Sequence, residues 1–172
     1  GQPLATLVTN MHAGTHIDAP MHMLERGASI DCYDIGRFAG RGVVIDVRGR
    51  THVTGDALDG HSFGRGDMVL FCTGHSSLWK RDGYFTGYTE FDVSVARTLA
   101  AAKVSAAGFD APSPDRDPYP FHMELLGHDV LIVENLTGLE SLIEIRNFEL
   151  FIVPLKIRAE AALVRAFARI DD

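Results

Sequence analysis

Six apolar runs, each closed off by Gly, Asp or Asn, recur along this chain and constrain its fold more than any other feature. "LATLVTN" (4–10), "GVVIDV" (42–47), "DMVLFCT" (67–73), "VSAAGFD" (104–110), "DVLIVENL" (129–136) and "FELFIVPLKI" (148–157) are rich in Val, Ile, Leu and Phe, as strands are. Between two of them "FDVSVARTLAAAK" carries Val95, Leu99 and Ala102 at helical spacing, which predicts a helix with one face on the sheet. "YPFHMELLGHD" predicts a short helix that Pro120 helps to start and Gly127 ends. Strands alternating with helices imply an α/β fold. The 172 residues, 46% of them hydrophobic, suffice for a single domain over 1–172 and not comfortably for two. The polar, glycine-bearing stretches 74–90 and 111–120 predict long loops, of the kind that shape pockets.

Charge narrows the partners. The formal net charge is −7 and the pI near 5.5, with no basic run, so nucleic acid and anionic membrane surfaces are disfavoured and a small-molecule substrate is expected. The longest apolar runs fall far short of the ~20 residues that span a bilayer, and no charged stretch leads into an apolar one at the N-terminus. The expected location is cytoplasmic. Cys32 and Cys72 lack C-x-x-C spacing and read as small buried hydrophobes. The G-x-x-x-x-G-K-[ST] phosphate cradle is absent.

The chemistry concentrates in "MHAGTHIDAPMH", residues 11–22. His12, His16, Asp18 and His22 occupy even positions, so an extended chain would point all four to one face. A straight strand would hold the Cα atoms of His12 and His16 about 13 Å apart, at ~3.3 Å per residue, too far to share an ion. The segment must bend, and Gly14 is the expected place because glycine adopts backbone angles that Ala13 and Thr15 could not take cheaply. A His/His/carboxylate set leaves a zinc-like ion an open position for water, which is the composition of a catalytic site.

With those residues in view, "HAGTHIDAPMH" resembles the signature of the cyclase family of metal-dependent hydrolases, which includes bacterial kynurenine formamidases and isatin hydrolases. The likeness extends along the chain. "FHMELLGHDVLIVENL" offers His122 and Glu134 at the spacing of the family's second metal position, and "GVVIDV", "GDMVLFCTG", "GFDAPSPD" and "PLKI…VRA" resemble family blocks in the same order. The resemblance implies a swivelling β/β/α arrangement. It further implies that His12, His16 and Asp18 hold a first divalent metal and that Asp18 bridges to a second held by His122 and Glu134. Nitrogen and oxygen donors without thiolate suit zinc or manganese, one or two ions per chain.

His22, four positions after the aspartate, would serve as general acid and base, with a place as a further ligand of the first metal as its alternative. The implied reaction is attack of metal-activated water on the carbonyl of a small, aromatic amide, with His22 passing a proton to the departing nitrogen. An arylformamidase of the N-formylkynurenine type is the leading expectation. A cyclic-amide, isatin-like hydrolase and a binding module that has lost turnover are the alternatives. Ser113 in "DAPSPD" matches a serine near substrate in the family, though a serine beside two prolines equally forms a turn. His75, Trp79, Tyr84 and Phe85 wall an aromatic pocket or simply pack their loop. Asp110 and Asp115 orient ligands or cap a turn, and His52, His61 and His128 read as solvent-side. Only eleven residues precede His12, where the family carries a longer stretch with a strand. The expectation is that this stretch is absent and that a second subunit covers the edge it would leave, giving a homo-oligomer.

Overall fold

The structure is a computed structural model and describes residues 2–170. Seven strands close into a mixed barrel in the order β1 (His16–Asp18), β7 (Leu131–Glu134), β6 (Ala106–Phe109), β4 (Met68–Cys72), β2 (Ala39–Asp46), β8 (Glu149–Pro154) and β9 (Ala161–Arg169), with β9 returning to β1. Strands β2, β4, β6 and β7 are mutually parallel, and β1, β8 and β9 join antiparallel. A small parallel pair, β3 (His52–Val53) and β5 (Glu90–Phe91), lies apart from the barrel.

Helix α1 (Val93–Ala102) begins at Asp92, whose carboxylate accepts a hydrogen bond from the Ser94 amide, and buries Val95, Ala96 and Leu99. Helix α2 (Pro120–Gly127) starts with Pro120 in its first turn and buries Phe121, His122, Leu125 and Leu126. Both connect parallel neighbours of the sheet, as such crossovers require.

Alternation along the strands sorts the core into two halves. Met68, Leu70, Leu131, Val133 and Ile17 pack in one cluster with Phe38 and Ile152. Val69, Phe71, Phe109 and Ile132 pack in the other, against Leu99, Phe121 and Leu125 of the helices. By the same period of two, His16 and Asp18 lie on the opposite face of β1 from Ile17, and Glu134 shares the face of Ile132. That face is the one α2 covers. The interior leaves no room for a side chain at Gly108, where a Cβ would lie 2.5 Å from Leu70 and 2.8 Å from Leu136.

Five of the six expected strands form. Run 4–10 does not, and Leu4, Leu7 and Val8 stand 94%, 73% and 91% exposed. The physical reason is that β1, a few residues later, already pairs on both sides with β7 and β9, so the closed sheet offers this run no edge. Strand β9 carries little strand signal because Ala162, Ala166 and Ala168, residues that favour helices, fill three of its four inward positions beside Val164. Cys72 is buried as expected, whereas Cys32 is exposed because its short 3-10 turn lies at the surface.

Candidate metal centre

Only part of the His/Asp motif is a strand. His16 and Asp18 belong to β1, while His12 arrives from the preceding turn and His22 from the 3-10 turn Pro20–His22 that follows. The bend falls at Gly14, whose φ of +66° lies in the left-handed region. The β1/β7 register sets His16 directly beside Glu134, and α2 delivers His122 onto the same face.

The resulting cluster joins residues more than a hundred positions apart. His12 Nδ1 lies 3.1 Å from both His16 Nε2 and Asp18 Oδ1. His16 Nε2 lies 3.4 Å from Asp18 Oδ1 and 3.3 Å from Glu134 Oε2. His122 Nε2 lies 3.3 Å from Glu134 Oε1 and 4.0 Å from Asp18 Oδ2. The His22 ring centre is 4.3 Å from that of His12 and 6.0 Å from that of His122. Two sets, His12/Asp18/His22 and His16/Asp18/Glu134, have ligand atoms all within 4.8 Å of one another. Asp18 belongs to both. These sets cut across the division that the family resemblance implies, grouping His16 with Glu134 and His22 with His12.

Asp18 provides the test of fit. It is fully buried, yet neither carboxylate oxygen has a hydrogen bond, because the nearby imidazole nitrogens approach without hydrogen-bond alignment. A buried carboxylate with both oxygens unsatisfied costs several kcal/mol, on the order of the effective burial penalty per ion, unless a cation meets it. Imidazole and carboxylate donors around such an oxygen pair fit a divalent metal.

Electrostatics agree with a site that wants positive charge. Burial works against charging His122, but hydrogen bonds to Asp115 and Glu134 outweigh it and raise its pKa to about 10. The same opposition, with Glu134 and Asp18 prevailing over burial, raises His16. For Asp18 burial is again outweighed, here by the imidazoles of His12, His16 and His22, and the carboxyl is held below its usual range. His22 moves the other way, lowered by burial and by the neighbouring His12 and His122.

Two further carboxylates stand behind these ligands: Asp115, which the sequence offers as orienting a ligand or capping a turn, and Glu160, which it does not mark. Asp115 Oδ1 lies 2.5 Å from His122 Nδ1, and its other oxygen accepts the Phe121 amide at 2.7 Å. Glu160 Oε1 stands 3.6 Å from His12 Nε2. The position of Asp115, seven before His122 across a proline-bearing loop, was its only signal in the sequence. Ser113 donates its hydroxyl to the Asp115 carbonyl at 2.8 Å, tightening that loop. Asp110 accepts from the Thr73 amide and hydroxyl and from the Gly74 amide, fixing the start of the 74–90 loop. A third close set, Cys72/Asp110/Glu140, therefore has its aspartate already engaged. His52, His61 and His128 are exposed.

A profile of the family described as putative cyclase matches residues 2–116. The chain belongs to the putative cyclase family. A kynurenine formamidase of Salinibacter ruber is 33% identical to this chain, over 96% of it and 79% of the relative. The solved structure of a potential metal-dependent hydrolase with cyclase activity superposes with a TM-score of 0.77 at 30% identity, covering 92% of this chain and 79% of the other. An isatin hydrolase bound to the product analogue thioisatinate gives 0.83 at 21% identity, covering 96% and 74%, a likeness of fold. The chain thus has the family's fold, a single α/β unit with a mixed barrel and flanking helices. Its clustered ligands and its relatives together support metal-assisted hydrolysis. Among the described residues no helix is long and apolar enough to cross a membrane.

Proposed function

We propose that this chain, as one domain over 1–172, hydrolyses the C–N amide bond of a small aromatic substrate in the manner of an arylformamidase. The observation that carries the reading is Asp18, a buried carboxylate with two unsatisfied oxygens among imidazoles contributed from both halves of the chain. The 33% identity to a kynurenine formamidase supports the substrate class. In this reading His12, His16, Asp18, His122 and Glu134 hold one or two zinc or manganese ions. A divalent ion bound there supplies Lewis acidity and lowers the pKa of a coordinated water toward ~7.

The chain's own residues do the rest. His22 is half-buried, and the lowering of its pKa by burial and by His12 and His122 keeps the ring neutral near pH 7, ready to accept a proton at nitrogen. It then returns that proton to the leaving nitrogen, since an amine departs poorly unless protonated. Asp115 orients His122, and Ser113 holds the Asp115 turn from a position at which it also meets substrate. A second reading makes His22 a ligand, because His12, Asp18 and His22 lie within reach of one ion. Cyclic amides such as isatin are the alternative substrate class.

The chain is further proposed to act as a homo-oligomer in the cytoplasm. Its exposed Leu4, Leu7 and Val8 favour a covering subunit, and its two unpaired thiols suit a reducing compartment. The experiment strips metal, restores zinc or manganese and assays N-formylkynurenine beside isatin by absorbance. Metal-dependent turnover of N-formylkynurenine is expected. Turnover of isatin alone would move the assignment to cyclic amides, and silence on both with metal bound would favour a module that binds without turnover.

A further inference from the structure

A cavity of about 240 Å³ lies beside the loop 74–90, lined by Thr15, Ser76, Trp79, Tyr84, Asn135 and Thr137 and by none of the cluster residues. One wall is aromatic. Trp79, 48% exposed, meets Tyr84 edge to face with ring centres 5.1 Å apart. The polar groups are arranged less evenly. Asn135 is 8% exposed, its amide N–H donates to Ala111, its carbonyl accepts the Thr15 hydroxyl, and its side-chain Oδ1 accepts the Tyr84 hydroxyl at 2.7 Å. Burial pushes the Tyr84 phenol up to about 12, so it remains a donor and Oδ1 stays occupied.

What is left is the Asn135 NH₂ group, which has no hydrogen-bond partner among the described residues and is not enclosed by protein as the Asp18 oxygens are, so it opens onto the cavity. The hydroxyls of Ser76 and Thr137 have none either. No charged side chain lines the cavity, so an ion would gain nothing there to offset its desolvation. Its volume is below the roughly 300–1,000 Å³ of pockets for drug-sized ligands, which suits a single ring system.

We propose that this cavity is a binding site for a small neutral aromatic ligand with a carbonyl group, its ring against Trp79 and Tyr84 and its carbonyl accepting from the Asn135 NH₂ group. Trp79 is the single tryptophan of the chain and forms a wall of this cavity, so its emission reports on occupancy there. The test titrates the zinc-loaded full chain with benzamide, and with toluene as a ring lacking the carbonyl. Benzamide should give a saturable change in emission, with toluene binding about tenfold more weakly, the worth of one hydrogen bond. The benzamide response should survive chelation of the metal. It should vanish in Ser76→Leu, which fills the cavity, with Thr137→Leu at an exposed position as a second filler should the first fail to fold.

No saturable change up to the solubility limit would overturn the proposal, as would an unaltered response in a folded filler variant. A response lost on chelation would place the ligand at the metal centre instead, and equal affinity for toluene would overturn the role of Asn135.

Discussion

Asp115 holds His122 by its far side: the carboxylate accepts from Nδ1 at 2.5 Å, and the opposite nitrogen, Nε2, faces Glu134 at 3.3 Å. A carboxylate can only accept, so Nδ1 keeps its proton and Nε2 is the atom free to bind a metal. Asp115→Asn should therefore weaken metal binding by roughly 10–100-fold, as outer partners of ligating histidines do, with the fold retained. Competition against a chromophoric chelator measures this, and unchanged affinity would remove Asp115 from the centre.

His22 separates the two readings of its role. If it moves protons, His22→Asn retains its metal and loses about 10²–10⁴-fold in kcat. Metal content per chain, measured beside turnover on the same sample, decides the matter. A drop in bound metal would make it a ligand.

The metal-free protein should have a pH-dependent stability set by its histidines. The folded-state pKa of His122, about 10, lies above the ordinary value of 6.5, and that of His16 is also raised. The stabilisation from His122 is thus fully present below pH 6.5 and is lost as pH rises through about 10, and His16 contributes in the same direction. Urea midpoints of chelator-treated protein should fall across that window, and the fall should flatten on loading with zinc, which replaces the protons. A flat or rising profile in the metal-free protein would contradict the protonation described.

Gly108 tests the barrel interior. Its added Cβ in Gly108→Ala would press on Leu70 and Leu136, both in the barrel-side core. Overpacking of this kind costs about 1–3 kcal/mol, readable in urea unfolding. A change within about 0.5 kcal/mol, the range of a neutral surface substitution, would show that the interior yields more than its packing implies.

Much of this molecule could be read from its residues because the readable parts carry strong local signals. Val69, Phe71, Ile132 and their neighbours advertise strands buried on both faces, and Val95 and Leu99 mark a helix face. The His/Asp motif was legible as a site through the density of ligands, and Gly14 as its bend through glycine's conformational freedom. Other features depend on who pairs with whom. Run 4–10 has strand composition but no edge to join, while β9 has helix-favouring alanines but gains its hydrogen bonds from β8 and β1. The grouping of His16 with Glu134 follows from the register of two strands far apart in the chain, which spacing along the sequence does not encode.

The central claim is that Asp18 lies against a divalent cation. Anomalous scattering from crystals of zinc- or manganese-loaded protein, collected on either side of the metal edge, addresses it directly. A peak within coordination distance of the Asp18 carboxylate, flanked by ring nitrogens of the histidine cluster, is the predicted result. Loaded crystals with no peak there, or with their peak only at Cys72, Asp110 and Glu140, would contradict it.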